Sequence, residues 1–232
     1  MSDEFSRTLK WGDKEEYNKA FNDALELKVS PWKNPNHRPA ITFSPRIETT
    51  MNQYYKTIDP EASPQMFDFG TFYQRMAQEL PNDFKAAEIG LSNGKSVIFL
   101  ASALSHLNKH GRLVGIDNMA YGGEYQATTI VNHIIKSGEN IELMIASSLD
   151  ASCKFPDGYF DLVFIDSSHE HEQTRAEILL WQRKVKDGGI LAGHDYNIGC
   201  HGVMEAVNEA FPNASLEETS EGFNVWWIKI KK

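Results

Sequence analysis

Five short polar clusters hold the residues of this chain best equipped for chemistry, and each one follows an apolar run. They are Glu88-Ile89-Gly90-Leu91-Ser92-Asn93-Gly94-Lys95-Ser96, Asp117-Asn118, Ser147-Ser148, Asp166 with His169, and His194-Asp195. Glycines at 90 and 94 let the backbone approach a ligand closely. Carboxylates at 88, 117, 166 and 195 can accept hydrogen bonds from hydroxyls or amino groups. An imidazole titrates near neutrality, so His169 can carry a proton, and two carboxylates beside an imidazole can hold a divalent cation.

The intervening pattern says what must position these groups. Short apolar runs at 85–89, 112–116, 141–145, 161–165, 190–192 and 225–230 read as strands. Helices are expected at 96–107, 124–136, 173–185 and 203–211, where apolar residues recur at helical spacing. Gly188-Gly189 reads as a turn into the strand at 190. Strands alternating with helices imply an α/β fold, a doubly wound, mainly parallel Rossmann-like sheet with helices on both faces. In such sheets ligands bind beyond the carboxyl ends of the strands, and the polar clusters all belong to that edge. Residues 1–66 differ: a first helix is expected over 3–28, and Pro31, Pro35, Pro39, Pro45, Pro60 and Pro64 then make a loop-rich arm or lid. A further helix over 67–80, stopped by Pro81, opens the domain at 67–232.

The first turn admits competing readings. Gly94-Lys95-Ser96 with the run ending in Asp166 has the look of a P-loop ATPase, but that loop needs four residues between its glycines and this one has three. Glu88 would also repel a triphosphate. An NAD oxidoreductase would use Asp117 on a ribose diol, yet prefers Gly at the position of Ser92. S-adenosylmethionine (SAM) has no phosphate and carries a sulfonium and an amino group, which suit an acidic loop. On the residues alone both nucleoside cofactors remain open, as does a non-catalytic nucleoside-binding module.

Composition removes other classes. The net charge of −9, with no run of Lys or Arg beyond Lys229, Lys231 and Lys232, argues against a nucleic-acid partner. No apolar run reaches the ~20 residues of a membrane span, and a polar, mixed-charge start is no secretory signal. Cys153 and Cys200 are too few and too far apart for a disulfide framework, and read as reduced thiols of a cytoplasmic protein.

Four motifs in order resemble class I SAM-dependent methyltransferases: Ala87-Glu88-Ile89-Gly90 with Gly94-x-Ser96, Gly115-Ile116-Asp117, Phe164-Ile165-Asp166-x-x-His169, and Gly188-Gly189-x-x-Ala192-Gly193-His194-Asp195-Tyr196. They are similar to the small-molecule and sugar O-methyltransferase branch, over residues 85–230. The resemblance implies transfer of a methyl group to a small hydroxylated acceptor, a sugar or glycan. It implies that Glu88, Gly90, Gly94 and Ser96 line the methionine end of SAM, that Asp117 holds the ribose, and that Asn118 or Ser148 lies near the adenine. Asp166 would stand where the methionine amino group and the acceptor meet. His169 resembles in position the base of catechol-type relatives, which is a lysine there. Asp166, His194 and Asp195 would hold Mg²⁺ or Mn²⁺, although His194 replaces a hard oxygen ligand and Ser168 stands where the sugar enzymes have a carboxylate. His171 reads as a solvated turn histidine, and His201 as a surface or capping residue. Tyr121 and Tyr196 can shape the acceptor pocket or simply pack. Of Trp226 and Trp227 one is expected in the core or at an interface, which leaves room for a homo-oligomer.

Overall fold

The computed structural model describes residues 68–232, apart from Tyr121 and Ser220. The expected arm of residues 1–66 and its first helix therefore lie outside the described residues, as does Tyr121. The domain opens with α1 (Gly70–Glu79), then β1 (Lys85–Ile89), α2 (Lys95–His106), β2 (Arg112–Asp117), α3 (Gly123–Ser137) and β3 (Glu142–Ile145). A five-residue helix α4 (Ser148–Ser152) precedes β4 (Phe160–Ile165), α5 (His171–Lys184), β5 (Val185–Tyr196), α6 (His201–Ala210), β6 (Ser215–Glu217) and β7 (Asn224–Lys229). No helix among the described residues is long and apolar enough to cross a membrane.

The strands form one sheet in the order β3-β2-β1-β4-β5-β7-β6. β1 to β5 are parallel neighbours, and β7 runs antiparallel between β5 and β6. Strand alternation sends successive side chains to opposite faces, and this divides the core. Ala86, Leu113, Leu162 and Phe164 face α1, α2 and α3, where Phe72, Tyr73, Met76, Val97, Leu100 and Ile130 are buried. Ala87, Val114, Val163 and Ile165 face α4, α5 and α6, where Ala151, Ile178, Trp181, Val203 and Val207 close the other layer. The chain winds outward in one direction from β1 to β3 and in the other from β4 to β5. The switch point lies between β1 and β4, and in sheets wound this way ligands bind in the crevice beyond the carboxyl ends of those strands.

The sequence reading differs from the structure in three places. Gly188 and Gly189 are not a turn into a strand but a bulge within β5. That strand pairs with β4 on both sides of them, Val185 with Phe160 and Ile190 with Leu162. Gly188 takes a φ of +76°, while a Cβ at 189 would meet Val185 Cγ1 at 2.8 Å. Helix α4 and strand β6 are too short to show a period. His171 is the first residue of α5 rather than part of a solvated turn, with its ring 3.2 Å from Glu209 and 3.4 Å from Glu172. Of the two tryptophans, Trp226 is buried and Trp227 is half-buried with the Arg75 guanidinium over its ring.

Candidate active site

The loop from β1 to α2 is folded tightly against the end of β4. Gly90 has a φ of +84°, and a Cβ built on it would lie 1.9 Å from the carbonyl oxygen of Asp166. Only glycine permits that approach. Around it, Gly90 N donates to Ile116 O and Asp166 N donates to Ile89 O, so the ends of β1, β2 and β4 are tied together. Gly94, also at positive φ, starts α2.

Glu88 is fully buried beneath this loop. Its carboxylate accepts hydrogen bonds from Tyr73 Oη of α1 at 2.8 Å and from Ser96 Oγ. Burial pushes its pKa up to about 8 against the pull of those two donors, and the neighbouring charge of Asp166 adds to the rise. Asp117, buried at the end of β2, accepts from Leu91 N at 2.8 Å and Met119 N at 2.6 Å. Oδ2 also accepts from Gln126 Nε2 at 3.4 Å, while Oδ1 keeps a lone pair for a diol. Asn118 is exposed beside it and accepts from Ala120 N. Ser148, expected near an adenine, is buried with its hydroxyl donating to Glu177.

The opposite wall of the crevice comes from β4 and β5. In a regular strand His194 and Asp195 would point to opposite faces. Asp195 takes a φ of +61°, and the β5–β7 register shifts between Gly193 and Tyr196. That kink brings both side chains to the same place. His194 Nε2 lies 2.9 Å from Asp68, while Nδ1 lies 3.4 Å from Asp195 and 3.7 Å from Asp166. Burial works against a charged ring, but the three carboxylates outweigh it and push the His194 pKa up to about 12. Asp166, 23 % exposed, is raised by burial and by the charge of Asp195, with His194 opposing. The ionised form of Asp195 is favoured instead: burial opposes it, yet the hydrogen bonds from His169 and His194 hold its carboxyl well below the usual range.

His169 stands at the rim with its side chain 54 % exposed and Nε2 2.9 Å from Asp195 Oδ2. That hydrogen bond raises its pKa. Nδ1 lies 3.6 Å from Cys200 Sγ. His201 is exposed at the start of α6, and Tyr196 Oη donates to Asn208. The sequence-nominated residues Glu88, Gly90, Ser96, Asp117, Asp166, His169, His194 and Asp195 thus share one edge of the sheet. Sequence reasoning passed over Asp68, Tyr73 and Cys200. Asp68 and Tyr73 come from the segment that precedes β1, outside the motif-bearing stretch, and Cys200 has no second cysteine nearby to draw attention to it.

Comparisons with known proteins agree with this architecture. Residues 87–196 match a family model described as a methyltransferase domain. No curated protein matches the sequence. Among solved structures, an O-methyltransferase from Bacillus cereus in complex with SAH superposes with a TM-score of 0.57 at 18% identity, covering 89% of this chain and 100% of that one. The cofactor-bound Rv0187 from MTB gives 0.56 at 18% identity over 99% and 96%. CalS11, a TDP-rhamnose 3'-O-methyltransferase of calicheamicin biosynthesis, gives 0.52 at 15% identity over 83% and 97%. With the family match spanning the loop after β1, Asp117 and the kinked end of β5, the ATPase and NAD readings give way, and residues 87–196 carry a methyltransferase domain on a sheet shared with SAM-dependent methyltransferases.

Proposed function

We propose that the enzyme methylates a hydroxyl of a small acceptor, a sugar or glycan, with His169 as general base. The observation that carries this reading is the His169–Asp195 pair, a base oriented by a buried carboxylate yet open to the rim. CalS11, a relative in fold, acts on a rhamnose hydroxyl by its description, which supports the acceptor class.

The crevice fits SAM. Gly90 lets the loop lie against the backbone of Asp166 at the end of β4, and Gly94 opens the turn into α2. Asp166 stands at the end suited to an amino acid, with the bonded pair Glu88 and Ser96 buried beneath the loop, and Asp117 Oδ1 retains a lone pair for a ribose diol. Asn118 and Ser148 flank the far side, where we place the adenine. Bound there, SAM supplies an electrophilic methyl group on a sulfonium whose leaving form is a neutral thioether. The chain's own work is alignment and proton removal. With Nε2–H donated to Asp195, His169 keeps a lone pair on Nδ1 and takes the acceptor's hydroxyl proton there. Asp195 then stabilises the imidazolium that forms. Asp166 sits between the cofactor end and the rim and orients the acceptor toward the methyl group.

Asp166, His194 and Asp195 also fit a divalent cation. Asp68 holds Nε2 of His194 as outer carboxylates hold metal-bound histidines, and Nδ1 faces the two inner carboxylates. The nitrogen donor favours Mn²⁺ over Mg²⁺. An ion there would steady the acceptor oxygen.

The test is calorimetry with SAM, its demethylated product, ATP and NAD, each with and without Mn²⁺. SAM and its product should bind, with ATP and NAD silent, and turnover of a hydroxylated acceptor should follow. SAM binding with no turnover of any hydroxylated acceptor would favour a nucleoside-binding module instead.

A further inference from the structure

We propose a second metal site on the rim, selective for thiophilic divalent ions of the Zn²⁺ class and formed by His169, Asp195 and Cys200. The three residues come from separate segments: the loop before α5, the kinked end of β5, and the residue that precedes the first turn of α6. One donor atom from each lies within 4.8 Å of the other two. Nε2 of His169 is 2.9 Å from Asp195 Oδ2, and its Nδ1 is 3.6 Å from Cys200 Sγ. Imidazole nitrogen, carboxylate oxygen and thiolate sulfur together are a zinc donor set. Bonds of roughly 2.0–2.3 Å to such an ion hold the donors about 3–4 Å apart, so donors now within 4.8 Å of one another close up by rotation of the exposed imidazole, which binds through one nitrogen.

The site is distinct from the carboxylate-rich one beside it. Asp195 turns Oδ1 toward His194 and Oδ2 toward His169, so its two oxygens serve different neighbours. The inner group of Asp166, His194 and Asp195 contains no sulfur and suits a harder ion. Cys200 supplies the soft ligand, and its thiol proton passes to solvent as the metal binds. The ion takes the place of the proton shared by His169 and Asp195. With His169 half exposed and Cys200 buried, water completes the coordination from the outer side. With Nε2 bound to the ion, the ring keeps its proton on Nδ1, so His169 has no lone pair left to act as base and methyl transfer is silenced. That consequence rests on His169 being the base, whereas the site itself does not.

The experiment titrates the full-length protein, without SAM or acceptor, with Co²⁺ as a spectroscopic substitute for Zn²⁺. The expected result is a sulfur-to-cobalt charge-transfer band at one equivalent, bleached by Zn²⁺. The band should persist in Cys153→Ser, whose thiol is exposed on the segment after α4. It should vanish in Cys200→Ser, with circular dichroism confirming the fold. Should Cys200→Ser not fold, His169→Gln provides the second reading, with Co²⁺ affinity lowered at least about tenfold. No band on the wild-type protein, or a band lost in Cys153→Ser and kept in Cys200→Ser, overturns the proposal. Because the readout is the metal–sulfur bond, a failure here is separable from a failure of the methyl-transfer reading.

Discussion

The two edges of the sheet handle charge in opposite ways. At the amino edge carboxylates meet cations: Arg112 forks onto Glu142 at 2.8–2.9 Å, Lys186 meets Asp161 at 2.7 Å, and Arg183 and Lys184 share Asp157. Lys85 lies over the Tyr159 ring in the same region. At the carboxyl edge Asp68, Asp166 and Asp195 converge on a single imidazole, and Glu88 is buried with no cation bonded to it among the described residues. The backbone there takes positive φ at Gly90, Ser92 and Asp195. Matched charge serves the fold. Convergent like charge on a bent backbone is costly and persists where a ligand offsets it.

Four measurements can break or sharpen that contrast. His169→Ala should lower kcat roughly 100- to 10,000-fold while SAM affinity by calorimetry stays near wild type. The wild-type rate should rise with pH through the elevated pKa of His169, because the base acts deprotonated, and this rise should be absent in the variant. A variant with full activity removes His169 from the mechanism. Gly90→Ala places a Cβ 1.9 Å from Asp166 O at a φ of +84°, so thermal unfolding should fall by about 4–8 °C, for a cost of about 2 kcal/mol. An unchanged melting temperature would mean that the β1 and β4 ends can part freely.

Glu88→Gln tests the buried carboxyl. Its folded pKa of about 8 exceeds the ordinary 4.5, so the folded state binds the extra proton between those values. The stability this contributes is present below about pH 4.5 and is lost as pH rises through about 8. Urea unfolding across that window should show wild type losing stability relative to Glu88→Gln as pH rises, and parallel curves would refute it. The smallest effect is expected at the amino edge. Lys186→Met should cost less than about 1 kcal/mol and leave kcat unaltered. A fall in turnover there would erase the distinction between the edges.

Much of this layout is legible in the sequence, for physical reasons. β1, β2 and β4 are buried on both faces, so they read as unbroken apolar runs ending in Glu88-Ile89-Gly90, Asp117 and Asp166. Local period and turn chemistry also locate α2, α3, α5 and α6 to within a few residues. What escapes is set by distance along the chain. Asp68 reaches His194 across 126 residues, and no local pattern encodes that bond. Cys200 reads as an ordinary buried thiol until the fold sets it against His169, 31 residues earlier. The kink at Asp195 is equally hidden, since aspartate in a strand gives no sign of left-handed φ. Ser148 is legible as a polar residue at a strand end but not as a partner of Glu177.

The excess of carboxylates along the crevice also bears on how the enzyme empties itself after methyl transfer. SAM arrives with a sulfonium charge and departs without it, so the rim of Asp68, Asp117, Asp166 and Asp195 attracts the incoming cofactor more than the spent one. With SAM bound as proposed, each turnover would weaken the enzyme's own hold on its product, and the reaction itself would drive release. Charge steering of this kind fades as ionic strength rises. In calorimetry the preference for SAM over its product should narrow in high salt, and an equal preference at both salt levels would mean that the crevice tells the two apart by shape alone.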